Sequence, residues 1–224
     1  MNDDFVFEFK FMDELKGTEA EEYLLSRRIN ILPRKGVRYE LTTVEPESKR
    51  PLRSMTSAMT TDRMRIAYFH RTYIEGGRKA QGINAKKIFT ANGQENLICD
   101  ACGSSISRGA AIRMFDCDAT IGIAEGMETA LSATQIYDCP TWSTANAGYM
   151  KQFIAPRSVR HLIIFADNDK NGTGLAAAFE CGNKNINRMD GPDKVTIRVP
   201  TDVSDFNDML FTQSDTHDWV LTRK

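Results

Sequence analysis

The sequence contains no run of about 18 apolar residues, so it offers no membrane-spanning helix. Its opening, MNDDFVFEFKFMDELKG, lacks a basic stretch ahead of an apolar one, which argues against a secretory leader. Cysteine is sparse and odd in number: five residues, with only Cys99 and Cys102 close together. That pattern gives no disulfide framework and fits a reducing, cytoplasmic setting. The three histidines, His70, His161 and His217, show no zinc spacing, and Cys99-Asp-Ala-Cys102 supplies half of a four-ligand site at most. An incidental reduced pair in a loop is the simpler reading. The chain also lacks a GxxxxGKS/T phosphate loop, internal repeats and low-complexity tracts.

What is present is ordinary globular composition: 224 residues, 41% apolar and 26% charged, enough for one large domain or two small ones. A net charge of −1 hides an uneven distribution. Residues 1–48 hold 7 Lys/Arg against 11 Asp/Glu, residues 49–113 hold 12 against 4, and residues 114–224 hold 10 against 15. The basic middle block suggests contact with a polyanion, although interspersed Lys and Arg on a solvated sheet would give the same count.

Local patterns divide the chain. Thr18 and Glu21 have capping-box spacing, acids fill the next turn and Arg27 and Arg28 close it, so 18–28 reads as a helix. Pro46 and Pro51, with charges between them, mark a linker. MRIAYFHRTYIEGGRKAQG is rich in β-branched and aromatic residues and broken at Gly76-Gly77, the pattern of a β-hairpin. Within it His70 reads as a sheet-surface residue. Residues 91–109 read as a long polar loop and AAIRMF (110–115) as a strand. Beyond Thr120, apolar strands at 121–124, 141–145, 161–166 and 194–199 alternate with helices at 126–137, around 149–153 and at 172–184. SDFNDMLF (204–211) resembles a capped final helix. Such alternation argues for a mainly parallel sheet covered on both faces. Trp142 and Trp219 are most simply packing residues.

Acids fall where those strands end. Glu125 follows IGIA; Asp167 and Asp169 follow HLIIFA; Asp202, Asp205 and Asp208 follow KVTIRVP. In an open α/β sheet, ligands bind beyond the carboxyl ends of parallel strands. Carboxylates gathered there repel one another unless a cation offsets them. Hard oxygen donors favour Mg²⁺ or Mn²⁺, and phosphate is the anion such an ion commonly bridges. Glu125, alone at its strand end, suits general acid–base work. Gly172-Thr173-Gly174 at a helix start would let backbone N–H groups approach phosphate. Any one of these acids could equally be a helix cap or turn residue; three together are harder to explain that way.

The ordered set IAEGMETALSA, IIFADNDKNGTGLAAA and VPTDVSDFNDML resembles a Toprim domain, and more narrowly the Toprim of phage- and plasmid-type DNA primases. Upstream, AEEYLLSRRINILP, FHRTYIEGGRKA, KKIF and GAAIRMF are similar to the segment that precedes Toprim in those primases. The resemblance spans about residues 17–212. It implies an N-terminal, primase-like basic subdomain of mixed α+β structure (1–115) and an α/β Toprim domain (116–224) whose mainly parallel sheet is flanked by helices. It also implies Glu125 as the acid/base residue, with Asp167 and Asp169 catalytic and holding Mg²⁺ or Mn²⁺ together with Asp205 and Asp208. Arg71, Arg78, Lys79, Lys86 and Lys87 would track a template strand or the incoming triphosphate. The implied reaction is RNA primer synthesis from nucleoside triphosphates on single-stranded DNA, with a separate helicase or replication protein as partner and no membrane. One departure stands out: housekeeping primases carry an Asp four residues after the motif Glu, where this chain has Thr129, preceded by Glu128. A Toprim nuclease and a non-catalytic nucleic-acid-binding replication accessory protein are the alternatives; a topoisomerase or a phosphoacceptor receiver domain fits the length or the motif order less well.

Overall fold

A computed structural model describes residues 8–91 and 109–223; the Cys99/Cys102 pair and most of the expected 91–109 loop lie outside the described residues. Eleven strands fall within it: β1 (Val37–Val44), β2 (Pro51–Thr60), β3 (Ile66–Glu75), β4 (Arg78–Lys79), β5 (Lys86–Thr90), β6 (Ala111–Ile112), β7 (Thr120–Ala124), β8 (Thr141–Ser143), β9 (His161–Phe165), β10 (Lys194–Pro200) and β11 (Thr216–Thr222). The helices are α1 (Glu19–Ser26), α2 (Met127–Tyr137), α3 (Ala147–Gln152) and α4 (Thr173–Ile186).

The strands make a single sheet in the order β11-β10-β9-β7-β8-β6-β2-β3-β4, with β1 on β2 and β5 on β3. Strands β10, β9, β7 and β8 run parallel, as their short apolar sequences and helical crossovers require. Every other pairing is antiparallel. The two-residue β6 joins the halves, pairing with β2 on one side and β8 on the other.

Side-chain alternation then builds two layers. On one face, here the back, Ile121, Ile123, Leu162, Ile164, Val195 and Ile197 pack with Ala177, Ala178 and Cys181 of α4 and Met150 of α3. On the front, Ala124 and Phe165 join Met55, Met59 and Ile74 of the antiparallel half, covered by Tyr23 and Leu24 of α1, by Met127 and Leu131 of α2, and by Phe206. Each fully buried side chain of this size contributes roughly 1.5–3 kcal/mol. Phe165 stacks on Tyr137 and meets Phe206 edge-on, which locks the segment after β10 onto the sheet. At Gly122 a Cβ would stand 2.4 Å from Thr141 Oγ1 and 2.6 Å from Phe165, so glycine is required for that packing. Trp142 is buried with its Nε1 donating to Phe115 O, and Trp219 packs on Phe179.

Thr18 caps α1, and Glu21 accepts from Gly17 N. The hairpin at Gly76-Gly77 joins β3 to β4, both glycines having positive φ. Three expectations need correction. Residues 46–51 are no linker but the turn of the β1–β2 hairpin, where Glu45 accepts from the N–H groups of Glu47 and Ser48. Pro51 is the first residue of β2, a position where its missing N–H is tolerated. The final helix is only a 3₁₀ turn, Asp208–Leu210, closed by bonds from Leu210 N–H to Asn207 O and from Phe211 N–H to Asp208 O, with Asp205 Oδ1 capping the Asp208 N–H. His70 lies buried on the front face, 4% exposed, not on the sheet surface.

Candidate active site

The register of the parallel strands sets the site. Ala124 of β7 pairs with Phe165 of β9, which pairs with Arg198 of β10, so β7 and β9 end level and β10 runs two residues further. Glu125 and Asp167 therefore emerge from neighbouring strands at one edge. The loop after β10 is drawn to the same place by Asn168, whose N–H donates to Ser204 O at 2.7 Å. Asp205 thereby comes alongside Asp167.

Burial and mutual repulsion shape the acidity of this edge. The Asp167 carboxyl is pushed up to about 7, first by burial and then by Asp205, Glu125 and Asp169, against the pull of Lys86. Glu125 is raised by burial and by Asp169, while Lys86 and the Ala147 N–H pull it down. Asp205 is raised mainly by burial. Asp169 is exposed at the start of α4, where Gly174 has a purpose: a Cβ there would lie 3.2 Å from Asp169 Oδ2 and 3.3 Å from Asp167 O. Asp208 stands behind Asp205, one of its oxygens taken by the Ser204 hydroxyl.

Asp167 Oδ1 is buried and has no hydrogen-bond partner among the described residues. A buried carboxylate oxygen without a donor is costly, and a hard cation would satisfy it. Among the described residues no three acidic, His or Cys side chains close into a ready-made metal cage.

A family model described as the Toprim domain matches residues 120–215. This part of the chain is a Toprim domain. A second model, described only as a domain of unknown function, matches residues 10–97. Among solved structures, a DnaG primase catalytic domain bound to ssDNA superposes with a TM-score of 0.55 at 10% identity, over 93% of this chain and 73% of that one. A DNA primase domain from Pseudomonas aeruginosa gives 0.45 at 14% identity, over 78% of this chain and 53% of that one. The primase fragment of the bacteriophage T7 primase-helicase protein gives 0.42 at 16% identity, over 71% and 59%. The chain thus spans little more than half the length of the last two. No curated protein matches. The first superposition shows a primase-type fold, in which the Toprim strands extend into the antiparallel half.

The expected basic track does not form one stripe beside the Toprim acids. Neighbours in a strand point to opposite faces, and the five residues divide accordingly. Lys86 and Lys79 lie on the front, each with Nζ 2.9 Å from Glu128. Arg71 and Lys87 pair across strands on the back, Arg71 with Glu40 at 2.8 Å and Lys87 with Glu45 and Glu47. Arg78 is exposed beside the hairpin turn. Sequence reading missed Asn168 as the tie between loops, and Asn207, which is fully buried and donates to Arg27 O and Ser132 Oγ. The signal for both was available: each is an amide inside an acidic motif, where a carboxylate would have added repulsion.

Proposed function

We propose that this chain is a metal-dependent primase-type nucleotidyltransferase that synthesises RNA primers on a single-stranded DNA template in the cytoplasm. The observation that carries this reading is the convergence of Glu125, Asp167 and Asp205 from three separated segments on one strand edge, with the buried Asp167 Oδ1 left for a cation. Asp167 and Asp169 would hold Mg²⁺ or Mn²⁺, with Asp205 beside them and Asp208 behind. Such an ion, when bound, neutralises charge on the phosphates of a nucleoside triphosphate. Glu125, raised in pKa and steadied by the Ala147 N–H, is suited to take the proton from an attacking 3′-hydroxyl. Lys86 and Lys79, on the same face, would meet the triphosphate, and exposed Arg78 is available to a template phosphate. A separate helicase or replication protein would supply the unwound template. We further propose that the chain divides functionally at 115/116, just beyond the narrow β6 junction.

The test is template-dependent incorporation of labelled ribonucleotides with a Mg²⁺ and Mn²⁺ series. Extended products that need both template and metal support the reading. Metal-dependent cutting of labelled DNA without nucleotides, and no synthesis, would replace it with a nuclease; neither activity, with no metal binding by calorimetry, would leave an accessory protein.

A further inference from the structure

Four side chains from four elements meet one helical turn from Glu125. Glu128, three residues on in the first turn of α2, is 4% exposed. Lys79 Nζ lies 2.9 Å from its Oε1 and Lys86 Nζ 2.9 Å from its Oε2, and the Tyr23 hydroxyl of α1 donates to Oε1 at 2.6 Å. The two lysine side chains keep 36% of their surface exposed, while the carboxylate keeps 6%. The acid is thus the buried anchor, and the lysine side chains are the part of the cluster that reaches the surface.

Stability alone is a poor reason for this arrangement. Burying a carboxylate costs several kcal/mol before any partner is counted, and a well-packed apolar residue often does as well or better than an ion pair. Two lysines around one acid also leave one positive charge unpaired within the cluster, its nearest counter-charge being the field of the Asp167 edge. His70, buried on the same face with Nδ1 unpartnered, brings no anion to cancel it. A free lysine carries rotamer entropy that it loses on gripping a ligand. Lysines already held by Glu128 have lost it in advance, which is preorganisation.

We infer that Glu128 is a positioning residue, which holds Lys79 and Lys86 as a preformed ammonium pair beside the Glu125–Asp167 edge to receive the polyphosphate of an incoming nucleotide. The identity of that anion rests on the nucleotidyl-transfer reading; the clamp itself rests on geometry. Glu128 therefore acts through the lysines and touches no substrate.

The test uses the full chain with lysine ε-methylene carbons labelled for NMR, the two signals assigned with Lys79→Met and Lys86→Met. In the wild type both should be motionally restricted, and inorganic triphosphate should shift both. In Glu128→Gln, which keeps the shape and the Tyr23 hydrogen bond, both should become mobile. Template-dependent incorporation should then lose about tenfold or more in kcat/KM per folded molecule, with KM for nucleotide carrying part of the loss, because the freed lysines must be ordered anew on each binding. Glu128→Asp, charged but shorter, should fall between, and it carries the same readouts should Glu128→Gln not fold. Lysines already mobile in the wild type overturn the clamp. So does a Glu128→Gln that only melts earlier, with kcat/KM per folded molecule unchanged. Restricted lysines that ignore triphosphate, in a wild type that incorporates nothing, overturn the nucleotide role instead and leave the acidic-edge reading to fall by its own assay.

Discussion

Lys86 and Lys87 are adjacent, yet they belong to two charge clusters that differ in kind. Lys86 faces front, shares Glu128 with Lys79, and its charge is felt at Glu125 and Asp167. Lys87 faces back, where Glu45 and Glu47 both pair with it and Arg71 is matched by Glu40. Ser54 and Thr56 hydroxyls complete the shell of Glu40. The back cluster satisfies itself; the front one holds cations in surplus beside an edge of repelling acids. Similar residues thus serve cohesion on one face and leave charge free for a ligand on the other. The difference teaches that a basic block in a sequence says little about binding until strand alternation has sorted it.

The comparison breaks first at the acids. Asp169→Ala should remove primer synthesis, a loss on the order of 1000-fold or more if it holds the ion, with template binding by fluorescence anisotropy mostly intact. Full activity in that variant would refute the site. Next come matched substitutions on the two faces. Lys86→Met should lower incorporation about tenfold or more with a smaller change in melting temperature, because Glu128 keeps Lys79 and the Tyr23 hydroxyl as partners. Arg71→Met should do the reverse: it strands Glu40 partly buried and should cost about 2–3 kcal/mol in urea unfolding, with kcat per folded molecule unchanged. Were both to behave alike, the distinction between faces would fail.

A third prediction concerns His70. Burial and then Lys86 hold its pKa down to about 4, while Glu128 pulls the other way by more than Lys79 adds. A folded pKa below the usual 6.5 means the unfolded chain binds the proton better. Its contribution to stability is therefore complete above about pH 6.5 and is lost as pH falls towards 4. Between pH 7.5 and 5, wild type should lose about 2 kcal/mol more than His70→Gln. The variant is the proper reference, because Asp167, raised to about 7, shifts stability in the opposite sense. Equal losses in both proteins would place His70 in contact with water.

How much of this was legible beforehand follows from which patterns are local. The parallel strands were readable because HLIIF and TIGIA are short apolar runs between helices, and their ends fixed Glu125, Asp167 and Asp205 on one edge. The hairpin at Gly76-Gly77 was readable from two residues that take positive φ. Strands β1, β2 and β11 were not, because VRYELTTV and THDWVLT are half-exposed strands whose polar residues read as loop. Nor was the Glu128 cluster legible: it joins residues 23, 79, 86 and 128, contacts that only the packing of α1 against α2 creates. The departure from the motif is at Thr129; Glu128 figures there only as its neighbour, and the burial of Glu128 supplied the meaning.

The smallest effect sharpens the comparison from outside both clusters. Arg198 on β10 and Asp218 on β11 form a two-pronged pair, 2.8 and 2.6 Å, with side chains 23% and 32% exposed. Its geometry is at least as good as that of Arg71–Glu40, and Arg198 also lies over the Tyr137 ring. Asp218 is held below the usual carboxylate range chiefly by its hydrogen bond to Arg198. What it lacks is burial, and solvent screens such pairs. A double-mutant cycle with Arg198→Met and Asp218→Asn should return a coupling of about 0.5–1 kcal/mol that shrinks in 1 M salt. The corresponding cycle at Arg71 and Glu40 should return a larger value that salt barely changes. If the two couplings came out equal, geometry rather than burial would set the strength of ion pairs on this sheet, and the back cluster would lose its claim to be the structural one.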